Sequence, residues 1–231
     1  MEGEYGGITV DDREGSGKLA PLLAGRGLPV SLGRIPFGDI SFVGSGMGGE
    51  PVTVGVEVKT VRDVLQCITN GRFAGYQLPG LVQSYQQVYL LIVGEVKACI
   101  GNGLLQVRGH GGWQDATVGS RRFMYKDLHT WLLTIQIKGG IGIVTCSNYN
   151  EAILWLSGLW GWWTVKGWEE HKAHLALNTT MESQLRDRAL LIQPSLVRRV
   201  AAQLPGVGFD KSGKIAERYG TVEELMGRLS G

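Results

Sequence analysis

The chain has 231 residues, 43% of them hydrophobic, which is enough to bury a sizeable core in one medium α/β domain with a small appendage. A net charge of only +2 excludes a global basic field, so any nucleic-acid partner must be gripped by local patches. Three scattered cysteines, Cys67, Cys99 and Cys146, argue against a disulfide scaffold or a paired-cysteine zinc site and for a reducing, intracellular compartment with no secretion signal.

Ile8–Asp11 reads as a strand, Ser16–Ala24 as a helix ended by Gly25 and Gly27, and Leu28–Leu32 as a lead-in to a hairpin. The hairpin pairs Phe37–Val43 with a strand from Val52 across the glycine-rich turn Gly44–Gly49. Its second strand alternates strictly. Val52, Val54, Val56 and Val58 form a core face, while Thr53, Gly55, Glu57 and Lys59 point the other way. Antiparallel pairing can bring Asp39 near Glu57 on that polar face. Two facing carboxylates repel unless a cation sits between them. Asp39, Glu57 and the Val58 carbonyl are the oxygen-rich set that Mg²⁺ or Mn²⁺ prefers. An acid two residues from a lysine suits metal-assisted phosphodiester hydrolysis, with Lys59 orienting or helping to deprotonate the attacking water. The plainer alternative is an ion pair on a solvated strand.

Thr60 and Asp63 form a capping box at the start of a helix over Val61–Asn70, so Asp63 serves either as a cap or as support for the metal site. Arg72 follows the helix end, where a cation favours the dipole. Further elements are a helix near Leu78–Gln86, a buried strand Val88–Val93 and a glycine-rich excursion Glu95–Ala116 carrying Arg108 and His110. Helix Tyr125–Lys138, strand Ile141–Cys146 and helix Tyr149–Trp163 follow. The apolar run Ala152–Val165 is too short to span a bilayer, so no membrane association is expected. Its Trp155, Trp160, Trp162 and Trp163 are too aromatic for one helix face, so only part of the cluster is expected to fill the core. Strands interleaved with helices give an α/β fold with a mixed sheet.

Beyond a polar connection, Ser195–Gln203 is an amphipathic helix and Leu204–Gly208 a tight turn. A second helix, Ser212–Tyr219, and a third, capped by Thr221 with Glu224, follow. Gly206, Val207 and Gly208 can present backbone N–H groups to a phosphate, with Lys211 and Lys214 adding charge. An ordinary helical hairpin is the alternative. Gly44-x-Gly46-x-x-Gly49 fits the dinucleotide fingerprint only formally, because a strand follows it.

Several of these motifs, in order, resemble the XPF/Hef-type structure-specific endonucleases. Gly38-Asp39 and Glu57-x-Lys59-x-x-x-Asp63 resemble the family's GD…ERKxxxD signature. Val10-Asp11-Asp12-Arg13-Glu14 resembles its VDxRE strand end, Gly71-Arg72-Phe73 its GRF element, and Tyr89–Val93 its next core strand. The tail resembles a helix-hairpin-helix motif. Departures are Val58 where the family has arginine, a longer loop between Asp39 and Glu57, and Tyr76 at the spacing of the family glutamine, with Gln77 one later. The resemblance implies a restriction-endonuclease-like nuclease domain over 1–168, a helical linker over 169–191 and a helix-hairpin-helix module over 192–231. It also implies a homodimer acting with Mg²⁺ or Mn²⁺ on branched, flapped or single-strand/duplex junction DNA, cytoplasmic or nucleoid-associated. The residues implied are Asp39, Glu57, Lys59 and Asp63, with Asp11, Arg13, Glu14 and Arg72. The alternatives are a catalytically degenerate DNA-binding scaffold and a nuclease of single-stranded nucleic acid.

Overall fold

The structure, a computed structural model, describes residues 7–171, 195–201, 204, 207 and 209–229. It divides into two compact units, Met1–Lys172 and Ala173–Gly231. Most of the expected linker, together with Gly206 and Gly208 of the expected phosphate-binding turn, lies outside the described residues.

The first unit is built on a six-stranded mixed sheet. Its strands are β1 (Ile8–Asp11), β2 (Val30–Gly33), β3 (Ile40–Ser45), β4 (Pro51–Thr60), β5 (Gln87–Val93) and β11 (Gly142–Cys146), in the order β11-β5-β4-β3-β1-β2. β4, β5 and β11 run parallel, β3 is antiparallel to both β4 and β1, and β2 is a parallel edge strand on β1. The lead-in expected over Leu28–Leu32 thus contains a strand. β5 is apolar throughout because both its faces are covered. Tyr89, Leu91 and Val93 join Val54, Val56, Ile40 and Phe42 beneath α2 (Leu19–Ala24) and α6 (Tyr149–Thr164). Val88, Leu90 and Ile92 pack on α3 (Val61–Asn70), α4 (Leu78–Ser84) and α5 (Tyr125–Gly139).

The hairpin forms as the alternation predicts, but its first strand starts at Ile40, because Gly38 adopts a left-handed turn at φ +90°. The polar face of β4 is covered rather than solvated. Gly55 lies against Tyr85, whose ring would stand 2.2 Å from an added Cβ. The Tyr85 hydroxyl donates to the Phe37 carbonyl at 2.8 Å, tying the end of α4 to the strand leading into the hairpin. The glycine-rich excursion is a separate antiparallel sheet of β6 (Val96–Ala98), β7 (Leu105–Gly109) and β8 (Gly112–Asp115). A two-strand ribbon, β9 (Thr117–Val118) with β10 (Arg121–Arg122), precedes α5.

The tryptophans of α6 divide. Trp163 is buried against Gly44, Trp155 meets Tyr89 at 5.6 Å, and Trp162 is 40% exposed and stacked on His171 at 4.0 Å. All three cysteines are free. In the second unit, helices Leu196–Ala201, Phe209–Arg218 and Val222–Leu229 share a small core of Val197, Ala201 and Leu225, flanked by Ile215 and Tyr219. Among the described residues no helix is long and apolar enough to cross a membrane.

Candidate active site

Three carboxylates stand abreast at one end of the sheet. Val10 pairs with Ile40, and Ile40 with Val56. One residue further along each strand come Asp11, Asp39 and Glu57, all on the face opposite the valines. The backbone confirms the register: the Asp11 N–H donates to the Asp39 carbonyl at 2.8 Å, and the Asp39 N–H to the Val56 carbonyl at 2.9 Å.

Asp11 is fully buried and fully answered. Its carboxylate accepts from Arg13 Nε and, at 3.3 Å, from the Ile35 N–H. Burial pushes this carboxyl up, but the Arg13 and Ile35 hydrogen bonds outweigh it and hold it below the ordinary carboxylate range.

Asp39 and Glu57 are not answered in this way. Asp39 accepts from the Ser16 hydroxyl and, at 2.6 Å, from the Val58 N–H, yet burial keeps its carboxyl above the ordinary range. Glu57, 6% exposed, receives Lys59 Nζ at 2.7 Å and Gln77 Nε2 at 3.0 Å, both on Oε1. Burial and then the Asp39 charge raise Glu57 as well. Lys59 is itself only 9% exposed and sits 5.6 Å from the Phe73 ring centroid.

Asp39, Glu57, Val58, Lys59 and Asp63 line one cleft of about 230 Å³, together with Ser16, Lys18 and Tyr149. Lys18 Nζ lies 4.8 Å over the Tyr149 ring. Asp63 closes the capping box, its Oδ2 accepting from the Thr60 N–H at 3.1 Å and from the Thr60 hydroxyl at 2.6 Å. Glu14 is exposed at the start of α1 (Glu14–Gly17), and Arg72 is exposed after α3. Neither forms an ion pair among the described residues. Lys211 and Lys214 are exposed on helix Phe209–Arg218, and Val207 is half-buried.

The donor set fits a hard divalent cation. Two carboxylates lie side by side, both raised, and Glu57 Oε2 has no hydrogen bond among the described residues. A cation would relieve that repulsion. Among the described residues no group of three or more His, Cys, Asp and Glu closes a full cage.

Family spacing falls on Tyr76, one residue short of Gln77, and sequence reading missed three other residues of the cleft. Phe73–Gln77 is a wide π turn, with the Leu78 N–H donating to the Phe73 carbonyl five residues back. The turn absorbs one residue, so Gln77 rather than Tyr76 reaches Glu57. Tyr76 is left 64% exposed against Phe37 at 5.6 Å. Ser16 from α1, Lys18 from the turn between α1 and α2, and Tyr149 from α6 are remote in sequence from the hairpin, and no local pattern marks them.

The carboxylate pair and the buried lysine share a cleft at one end of the sheet, and the chain's family places it in the class of structure-specific DNA endonucleases. The chain is a member of the ERCC4 domain family, which it matches over residues 10–159. Among solved structures it is similar to XPF from Aeropyrum pernix, at 19% identity and TM-score 0.48, over 94% of this chain and 84% of that one. It is also similar to XPF from Aeropyrum pernix in complex with DNA, at 18% identity and TM-score 0.46, with the same coverage. No curated protein matches the chain.

Proposed function

We propose that the protein is a divalent-metal-dependent endonuclease that hydrolyses phosphodiester bonds at branches, flaps or single-strand/duplex junctions in DNA. The observation that carries this reading is the Asp39–Glu57 pair, two raised carboxyls on adjacent strands beside a buried lysine. Perturbed carboxylates gathered in a cleft are characteristic of functional sites.

Asp39, Glu57 and the Val58 carbonyl would hold Mg²⁺ or Mn²⁺, which when bound supplies a Lewis acid for the scissile phosphate and lowers the pKa of a ligated water. Lys59, fixed by Glu57, orients the attacking water and helps to deprotonate it. Ser16 and the Val58 N–H fix the Asp39 carboxylate, and Gln77 fixes Glu57. Asp11, with Arg13, braces the end of the sheet. Asp63 supports the cleft through Thr60, and Glu14 and Arg72, both exposed, are available to the DNA.

In the second unit, Gly206, Val207 and Gly208 would offer N–H groups to a backbone phosphate, with Lys211 and Lys214 adding charge in a helix-hairpin-helix module. The exposed ring of Trp162 belongs to a homodimer interface in this reading. The setting is DNA repair or recombination.

The test is a panel of labelled duplex, flap, fork and single-stranded DNA with Mg²⁺ or Mn²⁺, beside Glu57→Gln. Cleavage of the junction substrates alone, lost in the variant, is the expected result. A Glu57→Gln preparation free of contaminating nuclease that cuts at the wild-type rate would overturn the assignment.

A further inference from the structure

Two further cavities continue the acidic cleft, and neither has a role in the chemistry above. The first, about 410 Å³, shares Thr60 with that cleft and carries Arg62 and Arg108. The second, about 390 Å³, shares Val61, Gly94 and Glu95 with the first. Shared lining residues set the three in succession along one track, from the carboxylates past the N-terminus of α3 to the β6–β8 sheet. Both volumes fall within the roughly 300–1,000 Å³ of small-molecule sites.

The contents of the track change along its length. At the start are the carboxylates and Lys59, which address a phosphate. In the middle, Arg62 from α3 and Arg108 from β7 put two guanidiniums where a neighbouring phosphate would pass. At the far end the lining turns aromatic, with Trp113 from β8 and Tyr125 and His129 from α5. Tyr125 and His129 lie 4.3 Å apart. The Trp113 ring is flanked by Lys97 Nζ at 4.5 Å and the Arg108 guanidinium at 5.6 Å. Glu95, exposed where the two cavities meet, adds an acceptor of the kind that takes a base amino group. Metal-site chemistry, then cations, then π faces is the sequence of groups that a single nucleic-acid strand presents in reverse. Phosphate sits at one end and an unstacked base at the other.

We infer that the cavity walled by Trp113, Tyr125 and His129 binds an unstacked nucleobase of the strand whose backbone occupies the acidic cleft, with Arg62 and Arg108 on the intervening phosphate. The inference rests on the nuclease reading for the course of the strand. It adds a base-holding site on the excursion between β5 and α5, and it supplies a physical basis for preferring junctions: a base beside a junction is easily drawn out of its stack, and one inside intact duplex is not.

The test uses the full chain in metal-free buffer and fork DNA carrying a single abasic residue, moved one nucleotide at a time through the cleavage junction. One position, within a few nucleotides of the junction, should weaken binding roughly 5- to 150-fold, the range of one lost base–aromatic stack. Trp113→Ala should weaken binding of intact fork by a similar factor and make the protein indifferent to that abasic residue. His129→Ala, at an exposed position on α5, repeats the cycle should the tryptophan variant melt early. Penalties of variant and abasic residue that simply add, or an abasic scan with no sensitive position, would overturn the inference. Cleavage of the intact fork with Mg²⁺ reports on the nuclease reading separately. A fork that is cut with no abasic effect removes the base site alone. A coupled abasic effect without cleavage removes the nuclease reading alone.

Discussion

Asp11 and the Asp39–Glu57 pair occupy the same row of the same sheet, yet the protein treats them in opposite ways. Asp11 is given a guanidinium and a backbone N–H and is held below the ordinary carboxylate range. Asp39 and Glu57 are buried next to one another, and their hydrogen bonds do not offset burial, nor, at Glu57, the Asp39 charge. The first arrangement stabilises a strand end. The second leaves unfavourable electrostatics that a bound cation would relieve.

The largest expected break in this contrast is chemical. Asp39→Asn and Glu57→Gln should abolish cleavage while leaving DNA binding, and Lys59→Ala should slow turnover by about 10²–10⁴-fold. Single-turnover rates on a fork substrate check all three.

Next in size is the response to metal. Mg²⁺ or Mn²⁺ at a hundred times its Kd should stabilise the wild-type chain by about 2.7 kcal/mol. Melting curves should show that shift for wild type and for Arg13→Ala, and none for the Asp39→Asn, Glu57→Gln double variant.

Arg13→Ala should then cost about 1–3 kcal/mol at neutral pH, since it strips a buried carboxylate of its partner while the half-exposed arginine was already partly screened. The pH dependence carries opposite signs at the two places. The lowered Asp11 carboxyl contributes stability that is present above the ordinary carboxylate range and lost as pH falls through its depressed value, so acid should erase the difference between Arg13→Ala and wild type. The raised Asp39 carboxyl lowers metal-free stability as pH rises from the ordinary range through its elevated value. Asp39→Asn should therefore flatten that fall, and urea titrations across pH measure both.

The smallest expected effect lies in the second unit. Lys211→Glu should weaken binding to every DNA sequence alike and flatten the slope of log K against log salt by about 0.9 per lost duplex phosphate contact. Binding isotherms at several salt concentrations read it directly, and an unchanged slope would remove Lys211 from the DNA surface.

Much of the sheet was legible because β4 and β5 write their environment into composition. Strict alternation fixed the two faces of β4, and an unbroken apolar run marked β5 as covered on both sides. The hairpin then placed Asp39 beside Glu57. What alternation could not show was that the polar face of β4 is itself roofed, because the cover comes from Tyr85, over Gly55, and from Phe73 beside Lys59, both beyond the next helix. Ser16 was invisible for a similar reason: its hydroxyl meets a carboxylate 23 positions away, with no periodicity linking the two. The edge strand β2 was missed because half-exposed Val30–Gly33 carries no strong pattern.

The wide turn at Phe73–Gln77 has a consequence for how this cleft can change over generations. A strand counts residues rigidly: one insertion between Glu57 and Lys59 would send them to opposite faces. A helix can take up an added residue in one loosened turn and fall back into step, as it does between Arg72 and Gln77. The two walls of the cleft therefore differ in tolerance to insertion and deletion. Length variation among relatives should collect on the helical wall, where the glutamine keeps its hold on the acid although its distance from the arginine drifts. The strand wall should keep its count.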